Sequence, residues 1–185
     1  MRSLILASAS PRRREICTLL GLDFSVCPAM GEAPADPALP IEDAIREVAR
    51  GKAEEVAARY PDTPVLGADT AVIIDNDILG KPRDREEAAA MLRRLSGRTH
   101  RVVTGVWLCD GERSEGFADV AEVTFVPLSE EDIAAYVATD EPMDKAGAYA
   151  IQGIGMRYVK GICGDFYTVM GLPSSRLYTM LKAHL

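Results

Sequence analysis

Two short stretches of this 185-residue chain hold residues whose types and spacing could do chemistry. The first is Ser8-Ala9-Ser10-Pro11-Arg12-Arg13-Arg14, in which a small-residue turn runs into three consecutive arginines. Ser10-Pro11 reads as a helix start, a capping hydroxyl followed by proline at the first helical position. Cations in a first helical turn oppose the helix dipole, at about 0.3–1 kcal/mol each. The arrangement makes sense if an anion sits there, because free backbone N–H groups and guanidinium forks then converge on phosphate oxygens. Successive helical residues point ~100° apart, so the three arginines cannot all reach one phosphate. The same residues also fit a solvated basic turn without a ligand.

The second stretch is Asp69-Thr70, inside Val65-Leu66-Gly67-Ala68-Asp69-Thr70-Ala71-Val72. A carboxylate in a strand of small and branched apolar residues is costly to bury unless it is paired or bound to metal. Asp69 is therefore a candidate general base or metal ligand; the alternative places it on the solvent face of a hairpin. Lys81 beside Pro82, Lys52 within a helical stretch and Glu32 in a proline-rich loop each read, taken alone, as solvated surface charges.

Other patterns fail on their own chemistry. Asp75, Asp77, Gly80 and Glu86 match four positions of a calcium-binding loop, but Leu79 offers no oxygen where a ligand is needed, and a strand precedes the loop where a helix is required. His100 could be drafted with Ser8 or Ser10 and Asp69 into a hydrolytic triad, yet no G-x-S-x-G elbow is present. Gly153 and Gly155 lack the third glycine and the following helix of a dinucleotide fingerprint.

The elements that must position these residues belong to one compact chain. Apolar residues make up 48% and charged residues 26%, enough to bury a core. Residues 4–7 are too short an apolar run for a signal peptide and are followed at once by the arginines, so the expected location is cytoplasmic. The net charge of -7 disfavours nucleic acid and anionic membranes as partners. Four scattered cysteines and two histidines do not make a zinc site; buried reduced thiols are expected, and any metal would be a hard, oxygen-bound ion.

Periodicity predicts strands over residues 3–7 and 23–27, with a helix between them carrying Ile16, Leu19 and Leu20 on one face and closed by Gly21. A loop over 28–40 leads to a helix over 41–59. A β-branched run over 65–74 turns through Asp75-Asn76-Asp77 into Ile78-Leu79. A charged helix follows over 84–95. Strands over 101–109 and 117–126 meet at Asp110-Gly111, and Ser129 caps a helix reaching Val137. Residues 139–165 hold short strand-like pieces, YAIQGIG and MRYVKGIC, and residues 166–185 are helical but broken at Gly171-Leu172-Pro173. The pattern predicts an α/β fold with a mixed twisted sheet flanked by helices, in two lobes around a central cleft.

LASASPRR at 6–13, GADTAV at 67–72, LGKPRDREEAAAMLRRLSGRTHRVVTGV at 79–106, DKAGAYAIQGIG at 144–155 and GLP at 171–173 together resemble the Maf family of nucleoside triphosphate pyrophosphatases. The resemblance runs nearly end to end and implies one domain of that kind, with the inosine-triphosphatase-like fold. It implies metal-dependent hydrolysis of a nucleoside triphosphate to the monophosphate and pyrophosphate, with Mg2+ as the expected ion and Mn2+ as the alternative. On it, Asp69 matches the general base, and Glu32 helps Asp69 hold the metal. Ser8, Arg12, Arg13, Lys52 and Lys81 become substrate-binding residues. Arg12, Thr70 and Gln152 match positions that mark the branch acting on dTTP and UTP, rather than its sibling acting on methylated GTP. The family is also linked to septum formation, so a non-catalytic nucleotide-binding regulator of division is the rival reading. Small-molecule nucleotides are the expected partners, and a homodimer is left open. The chain departs from the family at Asp140, where a glycine usually stands, and at Asp165-Phe166-Tyr167-Thr168, where Ser-Tyr-x-Asn is usual.

Overall fold

A computed structural model of the chain describes residues 2–31 and 33–184. Glu32 lies outside the described residues. The elements run β1 (Leu4–Leu6), α1 (Pro11–Leu19), β2 (Phe24–Val26), α2 (Ile41–Ala57), β3 (Val65–Ile74), β4 (Asp77–Leu79), α3 (Arg85–Leu95), β5 (Thr99–Asp110), β6 (Arg113–Phe125), α4 (Glu130–Val137), β7 (Val159–Cys163), α5 (Phe166–Met170) and α6 (Ser174–His184). Seven strands form one mixed sheet in the order β2-β1-β3-β5-β6-β7, with β4 paired to β3. β1 is parallel to β2 and β3, while β4 on β3 and β7 on β6 are antiparallel. The expected α/β class with a mixed sheet is what the chain adopts. Among the described residues no helix is long and apolar enough to cross a membrane.

The chain divides into two compact units. One comprises residues 1–70, 104–119 and 167–185, and so holds β1, β2, α1, α2, the first part of β3, the β5–β6 turn, α5 and α6. Its helix α2 buries Ala44, Ile45, Val48, Ala49, Ala53 and Val56, spaced to cover one helical face. Ala53 and Val56 pack with Ile5, Ala7, Val65 and Cys109, and Trp107 covers their edge. The other unit comprises 71–103 and 120–166. Its core includes a trio of edge-on rings, His100, Phe125 and Tyr149, with centroids 4.8–5.4 Å apart.

Several expectations are corrected. In α1 the buried residues are Ile16 and Cys17, while Leu19 is exposed. Strands β5 and β6 outrun the predicted bounds, because exposed Arg113, Ser114 and Glu115 extend β6 without any apolar alternation to mark it. The YAIQGIG segment is not a strand. The Glu141 carboxylate accepts the N–H groups of Ile154 and Gly155 at 2.9 and 3.0 Å, and the Tyr136 hydroxyl accepts that of Ala150 at 3.1 Å. Side chains thus take the donors a sheet ladder would have used. Of MRYVKGIC only Val159–Cys163 is strand. The four cysteines are unpaired as expected, but Cys163 is exposed and Cys27 half-buried. The departure at Asp140 has a backbone explanation. Its φ is +61°, a conformation glycine adopts freely and aspartate tolerates better than most residues. Its carboxylate accepts a hydrogen bond from Arg85 at 2.6 Å.

Candidate active site

Strand β3 organises the site. Successive side chains on a strand face opposite sides, so Gly67 and Asp69 share one face and Thr70 points to the other. On the first face α2 lies directly on the sheet. A Cβ added at Gly67 would stand 2.4 Å from the Ala49 carbonyl oxygen and 2.8 Å from the Ala53 nitrogen. One added at Gly105 would stand 2.5 Å from the Ile45 carbonyl oxygen. Only the missing side chains let the helix settle this close. Lys52, one residue before Ala53, then reaches Asp69, two residues beyond Gly67. Lys52 Nζ donates to Asp69 Oδ1 at 2.7 Å, with the two side chains 14% and 17% exposed. The half-buried carboxylate is paired, which removes the solvent-face alternative for Asp69. Lys52 is likewise no solvated surface charge.

On the opposite face, Arg13 folds back from the first turn of α1 and spends three N–H groups on protein acceptors. Nε donates to the Gly171 carbonyl at 2.9 Å, Nη1 to Ser8 Oγ at 3.0 Å and Nη2 to Thr70 Oγ1 at 3.0 Å. Ser8 is buried and also accepts the Ser10 N–H at 3.3 Å. Thr70 Oγ1 lies 2.9 Å from Thr104 Oγ1, and Thr104 donates to the Thr168 carbonyl at 2.8 Å. Gly171 must be glycine. Its φ is +109°, and a Cβ there would stand 3.2 Å from Thr70 Oγ1. The conformation explains why the GLP segment belongs beside LASASPRR and GADTAV.

The arginine cluster is thereby resolved residue by residue. Arg13 braces Ser8, Thr70 and Gly171; Arg14 is exposed; Arg12 is half-buried next to the helix start. Ser8, Arg13 and Thr70 are brought together, as are Lys52 and Asp69. Lys81, just past β4, and Gln152, in the turn before Gly153, are exposed residues of the second unit.

In that unit Glu141 clamps the turn that carries Gln152. Burial alone would raise its carboxyl, but the Gly155 and Ile154 N–H groups and the Tyr136 hydroxyl outweigh burial and hold it below the usual carboxylate range. Tyr136 donates to Glu141 at 2.7 Å, and its own phenol is pushed well above its ordinary value, chiefly by burial. His100 is buried between Phe125 and Tyr149 and held to the Tyr149 hydroxyl at 2.8 Å, a core residue rather than a triad member.

Sequence reasoning missed Thr104, Thr168, Tyr136 and Glu141. Thr104 carried a signal, since it is a polar residue amid the apolar run of β5, as Asp69 is in β3. The partners of Glu141 are backbone groups, which leave no mark in the residue pattern.

Among the described residues no group of three or more His, Cys, Asp or Glu side chains could hold a metal ion. Asp69 nonetheless offers a part-exposed carboxylate, and Mg2+ characteristically takes one or two protein carboxylates and completes its shell with phosphate oxygens and water. The donor set fits an ion that arrives with a phosphate ligand. Among the described residues it does not amount to an all-protein cage.

The family model described as Maf-like protein matches residues 3–184. A Bacillus velezensis protein named dTTP/UTP pyrophosphatase is 52% identical over 98% of this chain and 96% of its own length. A protein of the same name from Escherichia coli strain K12 is 48% identical over 98% of this chain and 93% of its own. A solved structure of a HAM1 protein from Coxiella burnetii superposes with a TM-score of 0.53 at 16% identity, covering 99% of this chain and 100% of that one, a likeness of fold. The chain belongs to the Maf family.

Proposed function

We propose that this chain is a nucleoside triphosphate pyrophosphatase that hydrolyses dTTP and UTP to the monophosphate and pyrophosphate. The observation that carries the reading is the pair of Lys52 on α2 with Asp69 on β3, backed on the other face of the strand by Arg13 and Thr70. The names of the relatives at about half identity over nearly the whole chain support the substrate class.

In this mechanism water attacks the α-phosphorus and the bond to the bridging oxygen of pyrophosphate breaks. Asp69 accepts the proton of the attacking water while Lys52 holds its other oxygen, fixing the direction of the carboxylate. The Arg12–Arg13 turn and Lys81 bind phosphate oxygens, so catalysis is mainly positioning and electrostatics. Asp69, with Glu32 by family resemblance, would hold a divalent cation, Mg2+ or alternatively Mn2+. When bound, that ion supplies charge neutralisation on the phosphate oxygens.

Gln152 reads the base. Uracil and thymine present an N3–H donor flanked by carbonyl acceptors, and an amide offers one acceptor and one donor to match. A cytoplasmic setting belongs to the same reading and suits four unpaired cysteines.

The test is a panel of nucleoside triphosphates with Mg2+, assayed for pyrophosphate with wild type, Asp69→Asn and Gln152→Ala. Wild type is expected to favour dTTP and UTP at least tenfold in kcat/KM over CTP, ATP and GTP. Asp69→Asn should nearly abolish turnover while folding normally, and Gln152→Ala should narrow the base preference. GTP or its methylated form as best substrate would overturn the pyrimidine assignment. Wild-type rates in Asp69→Asn would remove the base.

A further inference from the structure

The hydrogen-bond chain behind Thr70 has a direction that can be fixed by counting protons. Thr104 has a single hydroxyl proton, and the Thr168 carbonyl, which can only accept, takes it at 2.8 Å. The 2.9 Å contact between Thr104 Oγ1 and Thr70 Oγ1 therefore has Thr70 as its donor. The one proton of Thr70 is thus directed into the protein, while its oxygen accepts the Arg13 Nη2–H at 3.0 Å. The order of donation runs from Arg13 to Thr70, to Thr104, to the Thr168 carbonyl. Beyond it, the Thr168 hydroxyl is anchored separately on Asp119 Oδ2 at 2.5 Å. Thr104 and Thr168 are both fully buried, so water does not compete for these bonds.

We propose that Thr104 is a positioning residue of the substrate site. It sets the polarity of the Thr70 hydroxyl and, through it, the seat of the Arg13 guanidinium. With its proton committed to Thr104, Thr70 faces the site as a hydrogen-bond acceptor only. A phosphate oxygen, itself an acceptor, is repelled there, and substrate contacts Thr70 only through an N–H or O–H donor. A valine at position 104 has nearly the same shape but no acceptor. The Thr70 proton is then released to turn toward the site, and Arg13 loses an oriented partner. The Thr168 carbonyl is not left bare, because it also accepts the Gly171 N–H at 3.1 Å. The loss should therefore appear in substrate handling more than in folding.

This inference rests on the pyrophosphatase reading, and a double-mutant cycle tests it separately. Thr104→Val is expected to lower kcat/KM for dTTP and UTP roughly tenfold (about 1.4 kcal/mol), mainly through KM. Thr104→Ser, which keeps the hydroxyl, should behave as wild type. Thr70→Val alone should cost a comparable factor, and the double variant should be no worse than the poorer single one within about twofold. Multiplying losses in the double variant would overturn the proposal, as would an unchanged KM in Thr104→Val. Thr104→Ala replaces the valine variant in the same cycle if the latter fails to fold. If wild type releases no pyrophosphate from dTTP or UTP, the pyrophosphatase reading fails. The cycle is then run on calorimetric binding of inorganic triphosphate. A change in Kd on Thr104→Val that vanishes in the Thr70→Val background supports the positioning role. An additive change, no change, or no binding to wild type overturns it.

Discussion

Replacing Gly67 by alanine should loosen the Lys52–Asp69 pair from a distance. The added Cβ would stand 2.4 Å from the Ala49 carbonyl oxygen, 2.8 Å from the Ala53 nitrogen and 2.9 Å from the Ala53 Cβ. All three belong to the backbone or first side-chain atom of α2, so no flexible side chain can swing aside. Ordinary contact begins near 3.4 Å, and α2 must retreat by roughly 1 Å at that point. Overpacking of this kind costs about 1–3 kcal/mol. For a chain of this size each kcal/mol moves Tm by about 2–4 °C, so Tm should fall by roughly 2–12 °C. The same retreat carries Lys52 away from Asp69, whose present separation is 2.7 Å. A misplacement of that size costs on the order of 100-fold in rate. The assay is pyrophosphate release from dTTP on protein shown to be folded, with calorimetric Tm alongside. Gly51→Ala is the control, because Gly51 lies on the exposed side of the same helix with nothing within 4 Å of an added Cβ. It should stabilise by about 0.5–1 kcal/mol and leave activity unchanged. Wild-type Tm and rate in Gly67→Ala would refute the reasoning that this glycine seats the helix.

Arg13→Ala removes three hydrogen bonds of a cation and should cost about 2–4 kcal/mol of stability and at least tenfold in kcat/KM. Exposed Arg14→Ala should stay within about 0.5 kcal/mol, and equal effects in urea unfolding and kinetics would return the cluster to a solvated turn. Burial lowers the pKa of His100 from 6.5 to about 4. The unfolded chain therefore binds a proton between those values that the folded chain refuses. Stability from this group is complete above pH 6.5 and is lost as pH falls toward 4, by up to about 3 kcal/mol. Urea unfolding at pH 7 and pH 4.5 should show that slope, and His100→Gln should flatten it. Burial also pushes the Cys17 thiol up to about 11, so an alkylating reagent at pH 8 should label exposed Cys163 long before Cys17.

The pattern of apolar runs and capped helices was enough to place every long element, because α2 and α3 each bury one periodic face and β3 is a nearly continuous buried run. Asp69 was legible as a cost awaiting compensation, but Lys52 as its partner was not. Their meeting depends on two glycines, Gly67 and Gly105, whose meaning lies in what is absent from them. The turn over 149–155 was misread as strand because its apolar residues are bound by Glu141 and Tyr136, from elsewhere in the chain, rather than by a neighbouring strand. Arg13 was rightly singled out for its charge. Sequence could not tell that its fork would be turned inward onto Gly171, since that requires knowing that residues 158 positions apart are neighbours.

The Arg13–Gly171 bond also bears on how the protein is made. At roughly 5–20 residues per second, the 158 positions from Arg13 to Gly171 separate their synthesis by about 8 to 30 s. During that interval Ser8, Arg13 and Thr70 exist without the carbonyl that seats the guanidinium, and Thr104 exists without Thr168. A chain still on the ribosome can build α2 against β1 and β3, but the Arg13 side of β3 stays unassembled until α5 and the GLP turn arrive. The hydrogen bonds that seat Arg13 and Thr104 therefore form only after residues 168–171 have been made.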